Sequence, residues 1–205
     1  MKKYILIFLA TAILVLFSCK KKEKEPDACC KKPAGTEESA GYDESVTLHD
    51  ITSDWTTQDN GKMQLKYIKG KVVVMAMIFT NCKAACPRIT ADLQRIEEAI
   101  PKDKLNEVSF ILLSMDPERD TPEQLKKFAA DYELDLSRWT LLTGSDSDVL
   151  EISGVLNVRI KKMTDGSFDH SNIIHILNDK GNIVHQQVGL AIDPAESIDK
   201  INALL

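Results

Sequence analysis

Apolar residues in this chain recur with two periods and in one long uninterrupted run, and these patterns predict most of its elements. "KVVVMAMIFT" (71–80) and "EVSFILLSMD" (107–116) are nearly continuous apolar stretches. Runs of that length, rich in Val, Ile and Leu, are expected of strands buried on both faces. Between them, "RITADLQRIEEAI" (88–100) places Ile89, Leu93, Ile96 and Ile100 at helical spacing. "TPEQLKKFAADYEL" (121–134) predicts a second helix. Thr121 is its N-cap, Pro122 its first residue, and Leu125, Phe128 and Ala129 face inward. "SDSDVLEISGVL" (145–156) predicts a short helix. "NIIHILND" and "IVHQQVGL" predict two strands around the turn "KGN", and "DPAESIDKINALL" (193–205) closes as a helix. Ahead of all these, Asn60-Gly61 separates two candidate strands in "SVTLHDITSDWTTQDNGKMQLKYIKG" (45–70), a strong hairpin signal. Strand, helix, strand and helix followed by a hairpin and helix is an α/β pattern around a central mixed sheet.

The first 45 residues follow a different pattern. Two lysines precede a 15-residue apolar run, Tyr4 to Ser18, that stops at Cys19. A membrane-spanning helix needs roughly 20 apolar residues. The run instead fits a secretory signal peptide. "LFSC" at its end resembles a bacterial lipobox, which predicts a signal over 1–18 and lipidation of Cys19. The body would then sit outside the cytoplasm, lipid-anchored in the cell envelope. Residues 19–45 carry almost no large apolar side chains and predict a flexible tether. Cys29 and Cys30 lie within it, either idle or an accessory thiol pair.

Charge sharpens this division. Residues 1–33 hold eight lysines against Glu23, Glu25 and Asp27, a net of +5. The whole chain is −5, so residues 34–205 carry −10. An acidic body is a poor match for nucleic acid, whose phosphates call for clustered Lys and Arg.

The chemistry concentrates at "FTNCKAACPRIT" (79–90), where a buried strand ends. In open α/β sheets, sites form outside the carboxyl ends of strands. Cys82 and Cys86 stand four apart with Pro87 directly after. Pro87 disfavours helical geometry at Cys86, so the helix is expected to begin near Pro87, with both thiols exposed to its positive end. Three uses follow: inert structural cysteines, a redox disulfide, or a soft-metal site for Cu(I) or Zn(II). A metal would call for a third donor. His175 and His185 lie in apolar strands, and His49 in an early strand or hairpin. His170 lies in "TDGSFDHSN", a polar loop entering a strand, beside Asp169.

Four stretches in order, "FTNCKAACPRIT", "SMDPERDTPEQLKKFA", "WTLLTGS" and "DHSNIIHILNDKGNIV", together resemble the Sco/SenC family of membrane-tethered copper proteins. The resemblance spans roughly residues 46–205. It implies a thioredoxin-like fold: a central mixed β-sheet flanked by helices, with an N-terminal hairpin. It implies copper, Cu(I) or Cu(II), bound by Cys82, Cys86 and His170, with Asp116 and Asp120 in support. The implied role is assembly of the binuclear copper site of cytochrome c oxidase, the partner being its copper-site subunit or another copper protein. Two features depart from the family's pattern: His175 stands where an aromatic or aliphatic residue is more usual, and the Cys29-Cys30 pair has no counterpart. A rival reading is a thiol–disulfide oxidoreductase that reduces a copper-site partner, with Cys82 as nucleophile and Cys86 as resolving thiol. A peroxidase on this fold would need a threonine three residues before the reactive cysteine, with a proline ahead of it. Thr80 is two before Cys82, and no proline precedes it in the strand.

Overall fold

The computed structural model describes residues 47–68 and 71–205. The predicted signal, Cys19, the tether and the Cys29-Cys30 pair lie outside the described residues.

A seven-stranded mixed sheet organises the body. Its middle is parallel: β3 (Val72–Ile78) pairs with β4 (Val108–Ser114), and β4 pairs with β5 (Trp139–Thr143). All seven residues of β3 are buried, as its unbroken apolar run requires. Antiparallel strands extend both sides. On one side lie β1 (Trp55–Thr57) and β2 (Lys62–Met63), and on the other β8 (Ile173–Leu177) and β9 (Ile183–Val188). The order is β2-β1-β5-β4-β3-β8-β9. The Asn60-Gly61 hairpin is therefore the sheet's first edge, and Asn60 takes the left-handed conformation (φ 64°) that favours Asn there.

Parallel neighbours need crossovers, and two helices supply them. α1 (Ala85–Ala99) links β3 to β4, and α2 (Pro122–Asp131) links β4 to β5. On α1, Ile89, Leu93 and Ile96 are buried at the predicted spacing. Each such side chain withdrawn from water contributes about 2 kcal/mol. On α2, Thr121 Oγ1 accepts from the Gln124 N–H, with Pro122 at the first position. α3 (Asp146–Val155) begins in a capping box between Ser145 and Asp148. α4 (Ala195–Asn202) packs on β9, β8 and α1. In the core, the Trp139 indole stacks on Phe110 at 4.8 Å and donates to Glu97 at 2.8 Å.

A separate two-stranded ribbon, β6 (Ile160–Lys162) with β7 (Phe168–His170), lies between α3 and β8 in the chain. The sequence pattern did not predict this ribbon, and it places His170 on a strand rather than in a loop. His170 is the last residue of β7, paired with Ile160. His49 likewise sits in a 3-10 turn, Leu48–Asp50, and not in a strand.

Candidate metal centre

The thiols stand at the carboxyl end of β3. The chain turns after Phe79, whose carbonyl accepts from the Cys82 N–H at 3.1 Å. α1 starts at Ala85, two residues ahead of the expected start at Pro87. Pro87 is the third helical residue, where an N–H has no intrahelical partner to lose. Cys86 therefore lies inside the first turn, with no exposed surface, while Cys82 is half-buried in the loop. The Cys86 N–H donates to Cys82 Sγ at 3.3 Å, and the Phe79 N–H to Cys86 Sγ at 3.4 Å. Both cysteines are free thiols.

Their acidities diverge, contrary to the expectation that both share the helix's positive end. Burial pushes Cys82 up, but the N–H groups of Cys86, Ala84 and Ala85 outweigh it and bring the thiol below its ordinary value. Burial pushes Cys86 far up, and the neighbouring Cys82 and Asp120 add to that. Cys82 is the more nucleophilic sulfur of the two. Cys86 is the thiol that keeps its proton.

His170 stands across the opening. It lines the same cleft as Cys82, about 400 Å³ in volume, and its ring meets Phe79 edge-on at 6.0 Å. Its Nδ1 lies 3.0 Å from the Ser171 carbonyl oxygen. A proton on Nδ1 donating to that carbonyl leaves the lone pair on Nε2, the arrangement usual in metal-binding histidines. Cys82 and His170 line the cleft, and Cys86 is buried behind Cys82; two thiols and an imidazole are a donor set that fits a soft metal such as Cu(I). Among the described residues, no three His, Cys, Asp or Glu side chains stand close enough together to hold a metal ion. Three-donor coordination therefore requires the two walls to approach.

The other histidines do not line this cleft. His49 packs on the turn at Gly181, where an added Cβ would meet its ring at 3.0 Å. That turn follows β8, whose Leu177 pairs with Val73 at the start of β3, the end of the sheet opposite Cys82. His175 pairs with Met75 in mid-sheet and is fully buried. His185 lies on β9, 3.7 Å from Glu196.

The turn after β4 underlies the site. Asp120, fully buried, accepts from the Thr80 N–H (3.1 Å), the Thr80 hydroxyl (2.6 Å) and the Ser114 hydroxyl (2.6 Å). Burial raises its pKa, opposed by these donors and aided by the charge of Asp116. Asp116 is also buried and ion-pairs with Arg119, a residue that sequence reasoning did not single out. Its signal was a lone arginine between two aspartates in "DPERD".

A model of the SCO1/SenC family matches residues 47–205. The chain belongs to the SCO1/SenC family. A SCO1 homolog of Bacillus subtilis is 33% identical over 144 residues, covering 69% of this chain and 74% of the relative. The solved structure of a SCO1/SenC family lipoprotein from Bacillus anthracis is 32% identical with a TM-score of 0.68, covering 74% of this chain and 91% of that one. BsSco, described as a member of the Sco family of cytochrome c oxidase assembly proteins with a disulfide switch, is 29% identical with a TM-score of 0.68. It covers 80% of this chain and 96% of its own. The thioredoxin-like Sco fold extends to the copper-bound ScoI of Bradyrhizobium japonicum (24% identity, TM-score 0.64, 75% and 97% covered), a likeness of fold.

Proposed function

We propose that this protein is a copper carrier that assists assembly of the binuclear copper site of cytochrome c oxidase. Cys82, Cys86 and His170 are its ligands. The observation that carries this reading is the shared cleft: Cys82, hydrogen-bonded to the Cys86 N–H, faces a histidine whose Nδ1 is tied to a backbone carbonyl. Asp116 and Asp120 support the site from below. Residues 1–18 act as a lipoprotein signal, Cys19 carries the lipid, and 19–45 tether the domain over residues 46–205 to a membrane of the cell envelope. The lipoprotein relative supports that placement. Cys19→Ala should release the body from membranes or stall the precursor, and an unmodified Cys19 in an intact N-terminus would sink the anchor.

The acidity difference between the thiols favours a second reading, thiol–disulfide exchange with a partner's copper-site cysteines. The Cys82 thiolate attacks the partner disulfide and forms a mixed disulfide, expelling one partner thiolate. Cys86 then gives up its proton and attacks Cys82 Sγ, which releases the second partner thiolate and leaves this chain oxidised. His170→Ala separates the two. Outer-shell losses alone cost roughly 10- to 100-fold in metal affinity, so the reduced variant should lose at least that for Cu(I). Its Cys82–Cys86 disulfide should still form and reduce. Copper delivery is refuted, and exchange takes its place, if His170→Ala cells assemble the oxidase normally while Cys82→Ser cells do not.

A further inference from the structure

The ribbon that carries His170 is not part of the main sheet; its strands pair only with each other. Phe79 packs on its Phe168 ring at 5.1 Å, and among the described residues its side-chain polar ties to the body come from the turn between β4 and α2. Arg119 leaves that turn and makes three contacts at once. Its Nε pairs with the Asp116 carboxylate, its terminal nitrogen donates to the Gly166 carbonyl, and its guanidinium lies 6.0 Å from the Phe168 ring centre. Gly166 is the ribbon's turn. It takes a positive φ of 79°, and a Cβ there would come within 3.3 Å of the guanidinium. Glycine thus provides both the left-handed turn and the close approach. One residue earlier, Glu118 pairs with Lys162 of β6 at 2.7 Å. One residue later, Asp120 holds Thr80 and, through it, the thiol loop. Ser114 joins the two arms: its oxygen accepts from the Asp116 N–H at 3.0 Å, and its hydroxyl donates to Asp120.

We propose that Arg119 is a positioning residue for the metal centre. Anchored on buried Asp116, it fixes the β6–β7 turn and so sets how far His170 stands from Cys82 and Cys86. The stretch from Asp116 to Asp120 is then a two-armed brace, with Asp120 on the thiols and Arg119 on the imidazole. A planar fork with several donors suits this task, because it bonds a carboxylate and a carbonyl together while packing on an aromatic ring. A lysine reaches one of the two oxygens but not both in a fixed geometry. The proposal rests on the reading of Cys82, Cys86 and His170 as ligands.

The test uses the full chain, reduced, with Cu(I) presented against a competing chelator. Alongside it run amide exchange of residues 160–170 in the metal-free protein and the midpoint potential of the Cys82–Cys86 pair. Arg119→Ala should weaken Cu(I) binding about 10- to 100-fold, the range of outer-shell losses. It should also speed exchange across the ribbon and leave the dithiol potential unchanged. Arg119→Lys should fall between this variant and the wild type on the first two measures, and it serves alone if the alanine variant does not fold. Affinity within about twofold of wild type, or ribbon exchange unchanged, overturns the brace. So does a shifted dithiol potential, which would mean general damage. If His170→Ala binds copper like the wild type, the ligand reading falls, and ribbon exchange in metal-free Arg119→Ala then decides the brace alone.

Discussion

The thiol loop and the histidine ribbon face each other across one cleft but are held in unlike ways. The loop continues from β3, where every residue is buried, and its Thr80 is bonded three times to a fully buried carboxylate. The ribbon is only three residues long on each strand, partly exposed, and pairs outside the main sheet. Stiffness follows burial and ladder pairing, so local opening costs far more on the thiol side than on the histidine side. A metal carrier benefits from that asymmetry. On the proposed copper reading, two sulfurs would stay preset to receive a soft ion, while the third donor would close on it and withdraw when the ion is handed on.

The largest effect should come from cutting the stiff side at Asp120. Asp120→Ala leaves the Thr80 N–H, the Thr80 hydroxyl and the Ser114 hydroxyl without their acceptor. Each buried group stripped of its partner costs about 1–3 kcal/mol. Relief of the charge's burial offsets part of this, and a net loss of about 3 kcal/mol is expected by chemical denaturation. The matching cut on the ribbon, Lys162→Ala, removes an exposed ion pair and should leave global stability unchanged. Equal losses for the two variants would erase the contrast.

A smaller effect separates the two sulfurs within the stiff side. Cys82 titrates below its ordinary value and is half-exposed, whereas Cys86 is buried and pushed up. In the reduced, metal-free protein near pH 7.5, iodoacetamide should label Cys82 at least about tenfold faster than Cys86, because the thiolate is the reacting form. Peptide mass mapping of short labelling times reads the ratio. Equal rates would return both thiols to the shared helix-end environment that the sequence suggested.

That suggestion shows where the sequence was legible. Uninterrupted apolar runs identified β3 and β4, and helical spacing identified α1 and α2, because burial is written into those segments themselves. The two cysteines and His170 were readable as residue types in a motif. Four things were not. The helix start was set two residues late, because a proline in a first turn is indistinguishable from a helix stop unless the neighbouring φ/ψ are known. That shift decides that Cys86 is buried. The ribbon was missed because "IKK" and "FDH" have no alternation of their own; each is a strand only through the other. Trp139–Thr143, quoted in the motif, likewise became a strand only by lying beside β4. Arg119 was missed for the same reason, since its carbonyl partner is 47 residues away in sequence.

The smallest effect contrasts two histidines five residues apart, one on each side of this comparison. His170 on the ribbon keeps access to the cleft. His175 lies in β8 against Met75 of β3, fully buried, and burial pushes its pKa down to about 3. Its Nδ1 meets the Gln186 amide at 3.2 Å, and its Nε2 has no hydrogen-bond partner among the described residues. It is therefore neutral in the fold, while in the unfolded chain it takes a proton near the ordinary value of 6.5. Between those two values the unfolded state binds more protons, so stability rises with pH there and is lost as pH falls. The loss should begin near pH 6.5 and run to about pH 3, at about 1.4 kcal/mol per pH unit from this residue. His175→Leu replaces the imidazole with an apolar group of the kind more usual at this place. Gln186 keeps its bond to the Leu156 carbonyl at 3.2 Å. Denaturation at pH 7.5 and pH 5 should show the wild type losing more stability than the variant over that interval, by about 2 kcal/mol. His185, whose pKa burial also lowers, contributes equally to both proteins and cancels in the difference. Parallel pH profiles for the two proteins would mean that His175 is not held neutral in the sheet, and the stiff half of the site would lose its acid sensitivity.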